Sequence, residues 1–214
     1  MNKSEMLQAL RKQGIVAVVR GQNLIEGTGI AESCIAGGLK AIEVTYTNPQ
    51  ASTIIQNLLQ AHVEHSDVLI GAGTVLDDVT ARMAIMAGAG FIVSPSFDQA
   101  TARLCNRYAI PYIPGCMSVQ EIVKALEAGC EMIKLFPAHH LGTDYIKALK
   151  DPLPQTSFMV TGGVSLNSLA DWFQAGAEVV GVGGQLNRLG AKGEMDAVIQ
   201  LAQDYVQAVN QARE

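Results

Sequence analysis

The sequence predicts an α/β fold, a (β/α)8 TIM barrel with an additional N-terminal helix, on three observations. Short β-branched runs alternate with longer stretches of helical period, the pattern of a parallel sheet with crossover helices. Eight such alternations fit within 214 residues, which suits a compact barrel better than an open doubly wound sheet of about five or six strands. One joint also recurs: IAGGLKAIEV, MAGAGFIVS, EAGCEMIKL and QAGAEVVGV each close a helical pattern with Ala-Gly and enter an apolar run. Glycine there supplies the left-handed cap that a short helix-to-strand loop requires.

The opening MNKSEMLQALRKQG has apolar residues at helical spacing among polar ones. It reads as an amphipathic helix ahead of the first strand, not as the unbroken apolar stretch of a signal peptide. Strands follow at Ile15–Val19, Ala41–Thr45, Val68–Gly71, Phe91–Val93, Tyr112–Ile113, Met132–Phe136, Phe158–Thr161 and Val179–Val182. Helical patterns lie between and after them, near 24–36, 49–62, 78–88, 98–108, 118–128, 143–149, 167–175 and 194–212. The first strand ends VVRGQN, without the GxGxxG of a dinucleotide-binding turn.

With 49% apolar and 16% charged residues the chain can bury a sizeable core. Its 21 glycines and seven prolines are scattered, and no linker, low-complexity tract or charge run divides it, so residues 1–214 read as a single domain. A net charge of −5 without a Lys/Arg cluster argues against a nucleic-acid surface. Ala84 to Pro95, the longest weakly polar run, is broken by glycines and falls short of the roughly 18 residues a membrane helix needs. Cys34, Cys105, Cys116 and Cys130 show no CxxC spacing, so buried reduced thiols are expected, as in the cytoplasm, and neither a disulfide framework nor a metal site. His62 and His65, at a helix end, read as solvated histidines.

A strand covered on both faces reads as a continuous apolar run, so an ionisable residue inside one needs a partner or a purpose. Lys134 in CEMIKLFP and Glu43 in KAIEVTYT are such residues, and Arg20 ends the first strand. All three sit towards the C-terminal part of their runs, the end that faces the active-site mouth in barrels. One reading is a buried structural ion pair. The other is chemical: desolvation disfavours the ammonium form, and a neutral amine can attack a ketone carbon.

Two glycine pairs, VTGGV at 160–164 and GVGGQ at 181–185, close the seventh and eighth strands, where barrels commonly hold a phosphate on backbone N–H groups. Ordinary tight turns compete with that reading. Thr74 in GAGTV is suited to a carboxylate or hydroxyl at the mouth, or to capping the next helix. His139 and His140 follow the lysine strand and are given no catalytic role.

GCEMIKLFPAHHLG is similar to the Schiff-base signature of the 2-keto-3-deoxy-6-phosphogluconate and 4-hydroxy-2-oxoglutarate aldolase family, and GLKAIEVTYT resembles that family's motif around its glutamate. IVAVVR, GAGTV, IVSPSF, IPGCMS and VTGGV fall in the family's order, so the resemblance spans nearly the whole chain. It implies a class I aldolase that splits a 2-keto-3-deoxy sugar acid into pyruvate and an aldehyde, within Entner-Doudoroff carbohydrate metabolism. Lys134 would form the imine and Glu43 would be the general acid and base. Arg20, Thr47 and Thr74 would contact the pyruvate end, Phe136 and Thr161 would line the pocket, and Gly162, Gly163, Gly183 and Gly184 would receive a distal phosphate. The resemblance also implies a homotrimer, with no metal, no cofactor, and a small-molecule substrate as partner.

The chain departs from the family's pattern in three places. Where many members read EVTLR it has EVTYT, so Thr47 stands for a substrate-anchoring arginine whose charge Arg20 would supply; FPAE becomes FPAH at His139; and a serine is absent from GVGGQ. These leave the keto acid open between gluconate, galactonate, unphosphorylated and hydroxyoxoglutarate types. A metal-dependent aldolase, a phosphosugar isomerase or epimerase, and a phosphometabolite-binding module are the rival readings; neither of the last two needs a strand lysine.

Overall fold

The computed structural model describes all 214 residues, Met1–Glu214. Nine parallel strands form one sheet: β1 (Ile15–Val19), β2 (Ala41–Thr45), β3 (Leu69–Gly73), β4 (Ile92–Val93), β5 (Tyr112–Ile113), β6 (Gly115–Cys116), β7 (Met132–Leu135), β8 (Ser157–Thr161) and β9 (Val179–Val182). β5 coincides with the expected fifth strand, and β6, which was not expected, continues it beyond Pro114, a residue with no N–H to give the ladder. β5 pairs with β4 and β6 with β7, while the Pro114 carbonyl accepts from the Lys134 N–H at 2.8 Å. The split strand thereby joins the two ends of the sheet order and curls it into the expected TIM barrel.

Eleven helices accompany the strands: α1 (Lys3–Gln13), α2 (Leu24–Ala36), α3 (Ala51–Ala61), α4 (Asp78–Met86), α5 (Gln99–Arg107), α6 (Val119–Glu127), α7 (Ala138–Leu141), α8 (Thr143–Lys150), α9 (Leu169–Gln174), α10 (Gly184–Ala191) and α11 (Met195–Arg213). The short α7 and α10 were not expected. The sequence of α10, GQLNRLGA, carries two glycines that lower helix propensity, but its buried Leu186 and the packing of Gly190 on Ile30 hold it in place. β3 begins one residue later than expected and runs on to Gly73, because Ala72 and Gly73 pair with Val44 and Thr45. The predicted extension of the lysine strand to Phe136 stops at Leu135.

Alternation along each strand divides the core in two. Outward residues such as Ile15, Ala17, Val19, Ile42 and Val44 join the helices in a cluster of 49 buried residues. Inward residues, among them Val16, Ala41, Leu69, Phe91, Met132, Met159 and Val179, form a second cluster of 12 with Met6, Leu7 and Leu10 of α1. α1 therefore plugs the N-terminal end of the barrel. It starts on a capping box between Asn2 and Glu5 and ends on Gly14, whose φ of 69° suits glycine. The same alternation points Glu43, Lys134 and Thr161 inward, each two residues beyond Ala41, Met132 and Met159 of the apolar layer. No helix is long and apolar enough to cross a membrane.

Candidate active site

Lys134 and Glu43 meet inside the barrel. β7 and β2 carry them in step with inward-facing Met132 and Ala41, and Lys134 Nζ lies 3.7 Å from Glu43 Oε1, with side chains 6% and 1% exposed. That separation is an ion-pair distance without a hydrogen bond, and neither Glu43 carboxylate oxygen has a hydrogen-bond partner in the protein. The Thr161 hydroxyl is likewise buried and unpaired. Buried polar atoms are rarely left so, because each forfeits its hydration without return.

Glycine makes this layer possible. A Cβ at Gly73 on β3 would collide with the Glu43 carboxylate, so the glutamate lies against bare backbone. A Cβ at Gly181 would come 2.5 Å from Thr161 Oγ1 and 3.1 Å from Met159 Cε. Phe136, two residues beyond Lys134, places its ring centroid 5.2 Å from Nζ and forms a wall on that side.

Above this layer a cavity of ≈ 370 Å³ opens at the C-terminal ends of β8, β9 and β1. Seven of the expected residues line it: Arg20, Phe136, Thr161, Gly162, Gly163, Gly183 and Gly184. Gly162 and Gly163 hold φ of 96° and 85°, which favour glycine, and a Cβ at Gly163 would reach within 2.5 Å of His139 Cβ. His139 thus packs under the loop and donates its N–H to the Gly162 carbonyl at 2.9 Å. Gly183 lets the chain pass close to the Val18 carbonyl.

Thr47 and Thr74 are not brought to that cavity, and Lys134 and Glu43 do not line it themselves; Phe136, 5.2 Å from Lys134 Nζ, does. Thr47 is exposed, with its hydroxyl 2.7 Å from that of buried Thr45. Thr74 is half-buried, in a left-handed conformation at φ 52°. It does not cap α4; Asp77 does, accepting from the Thr80 N–H at 2.6 Å. On the outer surface His62 pairs with Glu32 at 2.8 Å, and nowhere do three or more His, Cys, Asp or Glu side chains cluster as a metal site would need.

Several cavity residues escaped the sequence reading. Val18 was recoverable, since period two from Val16 points it inward. Arg188, Gln185, Ser165 and Tyr205 were not: three stand on α10 or beyond the glycine pair, and Tyr205 arrives from α11. Burial raises the Tyr205 phenol above its ordinary value, and the Arg188 guanidinium beside it works the other way.

The likenesses to known proteins agree with this geometry. A family model described as KDPG and KHG aldolase matches residues 6–201. The 2-dehydro-3-deoxy-phosphogluconate aldolase of Treponema pallidum (strain Nichols) is 36% identical over 95% of this chain and 97% of its own. The 2-dehydro-3-deoxy-6-phosphogalactonate aldolase of Escherichia coli (strain K12) is 35% identical over 96% of this chain and 99% of its own. A crystal structure of KDPG aldolase from Legionella pneumophila, with pyruvate captured at low pH as a covalent carbinolamine intermediate, superposes with a TM-score of 0.84 at 26% identity over 95% of this chain and 97% of that one. With a family model spanning most of its length and relatives above 30% identity over nearly all of it, this chain belongs to the KDPG and KHG aldolase family.

Proposed function

We propose that the protein is a class I aldolase that cleaves 2-keto-3-deoxy-6-phosphogluconate, 4-hydroxy-2-oxoglutarate, or both, through a Schiff base on Lys134. The observation that carries this reading is the enclosed Lys134–Glu43 pair, 3.7 Å apart beneath a cavity rich in glycine and arginine. A lysine amine enclosed there beside a carboxylate with no other partner is placed to act as a nucleophile with a general acid and base at hand.

The amine adds to the C2 ketone of the keto acid, and the resulting carbinolamine loses water to give an iminium. As the C3–C4 bond breaks, its electrons flow into the iminium and Glu43 takes the proton from the C4 hydroxyl, directly or through water. The aldehyde departs. Glu43 returns the proton to C3 of the enamine, and hydrolysis frees pyruvate and the amine. Arg20 and the two glycine pairs hold the anionic ends, which orients the reacting carbons over Lys134. The products are pyruvate with glyceraldehyde 3-phosphate or glyoxylate.

Pyruvate with borohydride is expected to leave a stable adduct on Lys134, located by peptide mass, and Lys134→Ala to lose both adduct and turnover. Aldol activity surviving in that variant would overturn the Schiff base, and loss of wild-type activity in EDTA would favour the metal-dependent alternative. Pyruvate release measured across the gluconate and galactonate phosphate esters, the unphosphorylated analogue and 4-hydroxy-2-oxoglutarate identifies the preferred keto acid; the Escherichia coli relative's name makes the galactonate ester a necessary member.

The reading extends to a cytoplasmic homotrimer of single-domain chains. In its support, Val79, Met83 and Met86 form an exposed apolar stripe on α4, and all four cysteines are free and buried. Sedimentation of the purified protein as a monomer would remove the trimer.

A further inference from the structure

We propose that Arg188 is a specificity-determining residue of this site: together with Arg20 it forms a two-guanidinium clamp that selects keto acids ending in a phosphate over those ending in a neutral hydroxymethyl group. The proposal rests on the aldolase reading and adds to it a residue on an element the sequence did not foresee.

Arg188 stands one turn into α10, and its Nη1 lies 3.6 Å from where a Cβ of Gly184 would be. The guanidinium therefore folds back over the start of its own helix, towards the glycine pair, which has no side chain to obstruct it. Arg20 approaches from the end of β1 among the residues of the two glycine pairs, so the clamp places it at the distal phosphate and not at the pyruvate end, where the family resemblance put it. Both arginines line the ≈ 370 Å³ cavity, and both border the shallower pocket beside it. Neither guanidinium makes an ion pair or a hydrogen bond within the protein. Glu26 borders the shallower pocket too, but its carboxylate accepts from the backbone of Gln22 at 3.1 Å.

The two cations are held in register by the residue next to Arg188. The Asn187 side chain accepts from the Arg20 N–H at 2.7 Å and donates to the carbonyls of Val18 at 2.7 Å and Gly183 at 2.6 Å. On the other side of Arg20, buried Asn48 donates to the Arg20 carbonyl at 3.1 Å and to that of Gly21 at 3.2 Å. Asn187 is thus a positioning residue that ties the end of β1 to α10 and keeps both arginines on one cavity. A phosphate carries close to two negative charges and three acceptor oxygens, enough for two planar forks, whereas a hydroxyl leaves both guanidiniums unanswered.

The test compares 2-keto-3-deoxy-6-phosphogluconate with its unphosphorylated analogue. Arg188→Ala is expected to raise KM for the phosphate ester roughly 10- to 100-fold, in keeping with loss of one charge-assisted contact, and to leave kcat little changed. The kcat/KM for the unphosphorylated acid should stay near wild type. Arg188→Lys should recover part of the loss, and Asn187→Ala should raise the same KM by a smaller factor with no change in pyruvate trapping on Lys134. Inorganic phosphate, titrated calorimetrically into wild type and Arg188→Ala, should lose affinity by a similar factor; this arm needs no turnover, so it tests the clamp even if the lysine chemistry fails. Absence of the Lys134 adduct in wild type would strike the aldolase reading alone. Equal losses on both acids, or unchanged phosphate affinity in Arg188→Ala, would overturn the clamp.

Discussion

Burying opposite charges removes several kcal/mol of hydration per ion, and their attraction offsets this only with good geometry and hydrogen bonds for the remaining lone pairs. Glu43 has an ion partner at 3.7 Å and no hydrogen bond at either oxygen, so stability is a poor account of the pair and chemistry a better one. Lys134→Met should abolish turnover and, by stranding the carboxylate, cost about 3–5 kcal/mol. Adding Glu43→Leu should restore stability without activity, as denaturant titration beside a pyruvate-release assay would show. A pair retained for stability would make the double variant the weakest of the series. Gly73→Ala probes the same layer from its backbone side: the new methyl must displace Glu43, lowering kcat about 100-fold at a cost of roughly 1–3 kcal/mol in stability. Unchanged turnover in that variant would mean that the position of the carboxylate is unimportant.

At the scale of elements, α1 and α10 hold opposite ends of the barrel. α1 fills the lower end with Met6, Leu7 and Leu10, all buried against inward-facing strand residues. Leu10→Ala should cost about 2–5 kcal/mol of stability with kcat and KM unchanged, because the apolar layer of Met132 and Met159 lies between that plug and the chemistry. Altered kinetics in Leu10→Ala would show that the two ends are coupled. α10 owes its place to packing, since the Ile30 side chain occupies the space a Cβ at Gly190 would need. The helix in turn presents Arg188 to the upper end.

The whole molecule shields its thiols. Burial pushes Cys34, Cys105, Cys116 and Cys130 up to about 12, from an ordinary value of 9.0. Between those values the unfolded chain has released protons that the folded chain retains, so the thiols' contribution is full below pH 9 and is lost as pH rises towards 12. Iodoacetamide at pH 8 should therefore leave the native protein unlabelled and modify all four cysteines after unfolding, and thermal midpoints should fall above pH 9. Rapid labelling of the native chain at one cysteine would show that local opening exposes it.

Order along the chain determined a good deal by itself. The alternation of runs and the repeated Ala-Gly joints specified the barrel, because a two-residue period and a 3.6-residue period are local properties that each segment carries alone. Lys134 and Glu43 stood out for the same reason: a charge in a buried strand is visible without its neighbours. The tertiary structure decided what depends on distance between segments. It determined that Pro114 divides a strand, that Asp77 rather than Thr74 caps α4, that Thr47 and Thr74 lie away from the cavity at the ends of β8, β9 and β1, and that Arg188 reaches it. The physical reason is that α10 is held by contacts more than 150 residues away along the chain, such as those of Asn187 with Val18 and Arg20, which no window of local periodicity contains.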